Sequence, residues 1–190
     1  MRARYVGLLP ALALVAACSS EKKEEPAAAA LTFHEIMKDQ VDKNADELWD
    51  ISNASIGDAA GIDPAKMTDE RWAQIAAKAD AAQQAALKLA TMNPIVVVNP
   101  GVKISDEGTP FGHTGAMVQA RMDKDPETMR NLANALARHM SDLGTAARAH
   151  DAATAGPLID QLDGVCEDCH LEYWYPDQKA LVNQFRAQNK

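Results

Sequence analysis

The chain has 190 residues, 47% hydrophobic, 24% charged and only 5% aromatic, with a mean hydropathy of −0.28. That balance excludes a disordered chain, a collagen-like fibre and a polytopic membrane protein, and it fits one soluble domain. The formal net charge of −8 opposes nucleic-acid binding.

Arg2 and Arg4 precede an apolar run from Val6 to Ala17 that ends in small residues. The run is too short to cross a hydrocarbon core of about 30 Å, and the order basic, apolar, small reads as an export signal over residues 1–17. Its removal takes away two basic residues and no acidic ones, so the formal charge becomes −10. Leu14-Val15-Ala16-Ala17-Cys18-Ser19 resembles the lipobox of bacterial lipoproteins, whose Cys becomes the lipidated first residue of the mature chain. The resemblance implies lipidation at Cys18 and a periplasmic, membrane-anchored protein, and Ser19 is similar to the outer-membrane sorting pattern. The alternative is an ordinary secretory signal that leaves Cys18 unpaired. Residues 18–30, with Glu21-Lys22-Lys23-Glu24-Glu25-Pro26 and four alanines, carry too little apolar surface to fold alone and read as a tether. The domain proper is residues 31–190.

From Leu31 the apolar residues Phe33, Ile36, Met37, Val41, Ala45, Leu48 and Trp49 recur at three- and four-residue steps, which predicts an amphipathic helix. Thr32 with Glu35 three residues on predicts a capping box at its start. A second helix follows Asp63-Pro64 and Thr68-Asp69-Glu70. It keeps the period through Trp72, Ile75, Ala76, Ala79, Ala86, Leu87 and Ala90 to Met92-Asn93-Pro94. Asn93–Thr114 breaks the pattern with three prolines, and Ile95-Val96-Val97-Val98 within it reads as a short strand without a partner or as part of an ordered loop. The spacing allows a short helix over Ala116–Met122. A third long stripe runs Met129, Leu132, Ala133, Leu136, Met140, Leu143 and Ala147 behind Asp125-Pro126-Glu127, where Pro suits the first turn. A fourth is predicted from Gly156-Pro157 through Leu158, Ile159, Leu162, Val165 and Cys169, limited by Pro176. The expected fold is all-α, an antiparallel four-helix bundle.

Cys166-Glu167-Asp168-Cys169-His170 is C-x-x-C-H, the attachment signature of a c-type haem: each thiol adds across a vinyl group and the imidazole ligates the iron. Positions i, i+3 and i+4 share one helix face, so both sulfurs and the ring can meet one macrocycle lying along the fourth helix. Random placement of three Cys and five His would give this pattern with an expectation of roughly 8 × 10⁻⁴. A structural zinc needs about four ligands, and this cluster offers at most three. A thiol–disulfide oxidoreductase wants its C-x-x-C at a helix start behind a strand. A plain structural disulfide leaves His170 without a role.

Residues 171–190 contain no Met or His, so any sixth iron ligand comes from upstream. A C-x-x-C-H on the last of four helices resembles the class II c-type cytochromes, the cytochrome c-prime superfamily. Phe33-His34-Glu35-Ile36-Met37-Lys38-Asp39, Asp46-Glu47-Leu48-Trp49-Asp50 and Tyr173-Trp174-Tyr175-Pro176 add weaker similarities. The resemblance implies haem c held by Cys166, Cys169 and His170. In the low-spin branch a first-helix Met ligates the iron, here Met37, and the protein is an electron carrier with no substrate turnover. The other branch leaves the iron five-coordinate and binds small gases, which is the alternative function. His34, one turn before Met37, would give bis-His ligation. Redox partner proteins and a homodimer through helices one and two are further implications. His139 and Met140 read as core or surface residues. His113 and His150 are expected to face solvent, and Trp49, Trp72 and Trp174 to fill the core or pack on the haem.

Overall fold

The computed structural model describes residues 30–57 and 61–188. The export signal, Cys18 and residues 19–29 lie outside the described residues. Leu31–Lys190 forms a unit of its own. Among the described residues the regular structure is helical, and the one β-type pairing is an isolated bridge between Ile56 and Ile62.

The chain enters α1 (Phe33–Ile36) through the expected capping box: Glu35 N–H donates to Thr32 Oγ1 at 3.2 Å, and Thr32 N–H to Glu35 Oε2 at 2.7 Å. A π-helical turn over Met37–Asp42 follows, then α2 (Lys43–Asn53), so the first predicted helix is one rod with a wide turn inside it. The buried positions explain that turn. Phe33, Val41, Ala45, Leu48 and Ser52 face the core, and together with Met37 they repeat about every 3.8 residues, whereas a straight α-helix repeats every 3.6. Over five turns the stripe would drift by about 100°, one residue's rotation, and a turn bonded i→i+5 takes up that extra residue. Two side chains support the wide turn: Asn44 donates its amide to the Gln40 carbonyl, and Lys88 reaches Gln40 Oε1 at 2.8 Å.

Thr68 caps α3 (Asp69–Thr91) and Asp125 caps α5 (Pro126–Arg148), with Pro126 at the first position as predicted. These two helices share the largest interface of the fold. Their buried faces mix large side chains, such as Trp72, Ile75 and Leu89 on one and Met140 and Leu143 on the other, with many small ones, Ala76, Ala79, Ala82, Ala85 and Ala86 against Ala133, Ala137, Gly144, Ala146 and Ala147, which let the backbones approach closely. A Cβ on Gly144 would come within 3.0 Å of Asp80 Oδ1, beside the Arg148 guanidinium that pairs with both Asp80 oxygens at 3.0 Å. Arg130, early in α5, donates to the Met92 carbonyl just past α3, while His150, after α5, stacks on Trp72 near the start of α3 at 5.5 Å.

The helix α6 (Ala152–Tyr173) begins earlier than the sequence pattern predicts. Asp151 is the cap, accepting from Thr154 N–H at 3.1 Å, and Pro157 sits one turn inside, where a missing N–H costs a single bond near the helix end. His139 on α5 donates Nε2 to the Leu158 carbonyl at 2.7 Å and joins the two helices. The short α4 (Gly115–Lys124) covers the predicted 116–122. A helix that the sequence reading did not anticipate, α7 (Lys179–Gln188), follows a turn at Pro176–Gln178, and none of its residues is buried.

Two measurements test this packing. Leu143, fully buried on α5, should cost about 2–5 kcal/mol when cut to Ala, whereas Leu181→Ala on α7 should stay within about 0.5 kcal/mol, both read by urea unfolding. The carboxyl groups of Glu35, Asp125 and Asp151 lie below the usual range because Thr32, Thr128 and Thr154 donate to them. Their folded pKa values sit under the unfolded ones, so the stability they add is present above about pH 4 and lost as the pH falls through the folded values. The urea midpoint should therefore drop between pH 6 and pH 3, and drop less in an Asp125→Asn, Asp151→Asn double variant.

Candidate functional site

The last two turns of α6 carry Cys166, Cys169 and His170. Both thiols are free and half-buried. The helix closes one turn after the histidine: the N–H groups of Trp174 and Tyr175 both donate to the His170 carbonyl at 2.8 Å, which fixes that backbone. The imidazole lies among aromatic rings, with Tyr175 edge-on at 6.0 Å and Trp174 tilted at 6.5 Å.

Opposite stands the first rod. A cavity of about 160 Å³ is walled by Phe33, His34, Met37 and Asp42 on that rod, by Cys169, His170, Trp174 and Tyr175 at the end of α6, and by Ser105 and Asp106 from the loop. A second space of about 30 Å³ is walled by Leu89, Met129, Leu132, Ala133, Leu136, Val165 and Cys166, and shares Phe33, Met37, Cys169 and His170 with the first. Met37 thus borders both spaces, as do Cys169 and His170, while His34 borders only the larger one.

The loop 93–114 is ordered and forms no strand. The carbonyls of Val96 and Val97 accept from Phe33 N–H at 2.7 Å and His34 N–H at 2.9 Å, so a loop backbone holds the first turn of α1. Gln119 on α4 supports that loop by accepting from Val97 N–H at 2.8 Å and donating to the Ile95 carbonyl at 3.0 Å. Further along, Asp106 accepts a hydrogen bond from the Tyr175 hydroxyl. This segment is therefore one wall of the cavity.

Burial pushes the Cys166 and Cys169 thiols up to about 12, with nearby carboxylates adding to the effect. A catalytic C-x-x-C works in the other direction, through a lowered thiol pKa. Burial also raises the Asp42 carboxyl, against the pull of His170 and His34. The Tyr175 hydroxyl is pushed up to about 12 by burial and then by Asp106. Glu167 and Asp168, the two variable residues of the motif, both pair with Arg186 of α7, Asp168 at 2.8 Å. Among the described residues no group of three or more His, Cys, Asp and Glu side chains could by itself hold a metal ion.

Other histidines stay apart. His113 was expected at the surface and is buried instead: its N–H donates to the Trp174 carbonyl at 3.2 Å, its Nε2 lies 3.6 Å from Asp177, and its Nδ1 has no hydrogen-bond partner. His139 and Met140 belong to the α5 packing, and Trp72 sits at the far end against His150. Of the tryptophans only Trp174 reaches the cavity. Asp42, Ser105 and Asp106 carry no motif and were not anticipated from the sequence. No known protein family, curated protein or solved structure matches the chain.

A raised thiol pKa leaves little thiolate at neutral pH, and reactivity climbs only as the pH approaches the folded value. In haem-free folded protein with Cys18 replaced by Ser, alkylation of Cys166 and Cys169 at pH 8 should be on the order of 10³ times slower than in the urea-unfolded chain, followed by mass spectrometry.

Proposed function

We propose that this chain is an exported, lipid-tethered monohaem c-type cytochrome that carries single electrons in the periplasm, built as an antiparallel four-helix bundle. The observation that carries the reading is the convergence of Cys166, Cys169, His170 and Met37: the last three border the same pair of cavities, and Cys166 borders the smaller one. The contacts of Arg130 with Met92 and of His150 with Trp72 support the antiparallel arrangement of α3 and α5.

The donor set and the lining fit a haem. Two thiols and an imidazole lie on one helix face, and the side chains of Leu89, Met129, Leu132, Leu136 and Val165 offer the apolar walls that a macrocycle requires. When bound, the haem supplies the one-electron Fe(III)/Fe(II) couple. Cys166 and Cys169 would hold it through thioether bonds, and His170 would ligate the iron. The paired hydrogen bonds to the His170 carbonyl and the rings of Trp174 and Tyr175 limit how far that imidazole turns. Met37, which lines both spaces together with His170, would supply the second iron ligand, and its soft thioether would favour Fe(II). The apolar residues of the smaller space exclude water.

The charge of −10 after loss of the signal steers the carrier toward basic partner surfaces, with association that slows as salt rises. Cys18 attaches it to the membrane. Among the described residues no helix is long and apolar enough to cross one.

The test is a pair of visible spectra, oxidised and reduced, with a pyridine haemochrome assay on protein made alongside the haem-attachment machinery. The expected result is one covalent haem with low-spin bands and the weak long-wavelength band of methionine-ligated ferric iron. Met37→Ala should abolish that band and open the iron to carbon monoxide. A high-spin spectrum in the unmutated protein turns the reading to five-coordinate gas binding, and absence of covalent haem overturns it.

A further inference from the structure

Resting on the haem reading above, we infer that Asp42 is the residue that sets the electrostatic potential at the iron, holding the reduction potential down against the effect of the Met37 thioether.

The inference begins with the wide turn. On an ordinary α-helix two residues five apart point about 140° away from each other, so Asp42 would face away from Met37. In the π turn over Met37–Asp42, with about 4.4 residues per turn, the same two residues fall within about 50°. Both accordingly line the larger cavity, with His34 and, across the gap, Cys169 and His170.

The second observation is what Asp42 lacks. Other carboxylates around His170 are engaged: Glu167 and Asp168 by Arg186, Glu172 by Lys179, and Asp106 by the Tyr175 hydroxyl. Asp42 makes no side-chain hydrogen bond or ion pair with any described residue. Asp42 is itself exposed at the rim of the cavity, so water carries its hydration and screens part of its charge, but it is the carboxylate of the first rod that lines the space beside Met37 and opposite His170. An electron added at the iron would meet this carboxylate, which disfavours the reduced state and lowers the potential.

The experiment is a spectroelectrochemical titration at pH 7 of the haem-bearing protein and of Asp42→Asn, an isosteric change. Asp50→Asn, a likewise exposed carboxylate two turns further along the same rod that does not line the cavity, is the control. The expected result is an upward shift of the midpoint in Asp42→Asn that clearly exceeds the Asp50→Asn shift, with the long-wavelength methionine band unchanged in both. Equal shifts in the two variants, or no shift, overturn the role of Asp42 and leave the cytochrome reading intact. Loss of the methionine band in Asp42→Asn also overturns it, because the carboxylate would then be holding Met37 rather than acting on the iron. A wild-type chain without covalent haem overturns both readings at once.

Discussion

The first turn of a helix cannot bond its own N–H groups, and where those donors go sets the geometry of this site. Thr32 and Glu35 satisfy part of the set at α1. The Phe33 and His34 donors go to the Val96 and Val97 carbonyls, more than sixty positions along the chain. That choice makes the loop 93–114 a structural member. Gln119 ties it to α4, the Glu107 carboxylate accepts from Ile104 and Gly115 N–H at 3.4 Å each, Asp106 takes the Tyr175 hydroxyl, and His113 N–H reaches the Trp174 carbonyl. The loop therefore runs from the start of the rod that carries Met37 to the end of the helix that carries His170, and grips both. Its length has a use: a shorter connection between α3 and α4 would not reach the two ends.

The long helices were legible because each announces itself twice, by a stripe and by a cap. Thr32, Thr68 and Asp125 cap where the pattern predicts. Asp151 did the same for α6, but Gly156-Pro157 reads as a stronger start signal than a cap followed by alanines. The grouping of Cys166, Cys169 and His170 was legible because their spacing is local to one helix face. Asp42 and Asp106 were not, for different reasons. Asp42 reaches the cavity only through a change of helical pitch, and the trace of that change is subtle: the steps Phe33, Met37, Val41 and Ala45 are each four residues, overshooting an α-helical turn by about 40° apiece. Such a run states that the excess must be absorbed without stating where. Asp106 reaches the cavity through a loop whose anchoring bonds join residues distant in sequence, which no periodicity records. For α7, Pro176 reads as a stop, although the same residue equally suits the first position of a new turn.

Packing changes along the α3–α5 pair. Near the start of α3 and the end of α5 the buried residues are Ala76, Ala79, Gly144 and Ala147 among the larger Trp72, Ile75 and Leu143. Toward the other end Leu89, Met129, Leu132 and Leu136 take over, and these line the smaller cavity. A methionine such as Met129 suits such a wall, because an unbranched thioether adapts to an irregular neighbour.

The C-terminal helix follows a different logic from the rest. It buries no side chain, and its main ties to α6 are Arg186 with Glu167 and Asp168 and, from its first residue, Lys179 with Glu172. Exposed pairs of this kind each contribute about 0–1 kcal/mol and weaken with salt. The fold gains little from α7, but the charge around the C-x-x-C-H changes: three carboxylates on the same helix as His170 are matched by two cations. Those pairings are loosened by salt, and the carboxylate on the opposite wall, Asp42, is itself exposed although its rod is fixed by core packing. Both walls of the cavity therefore carry carboxylates that solvent reaches, salt-bridged on α6 and unpaired at Asp42, and their charge near His170 is screened on either side as ionic strength rises.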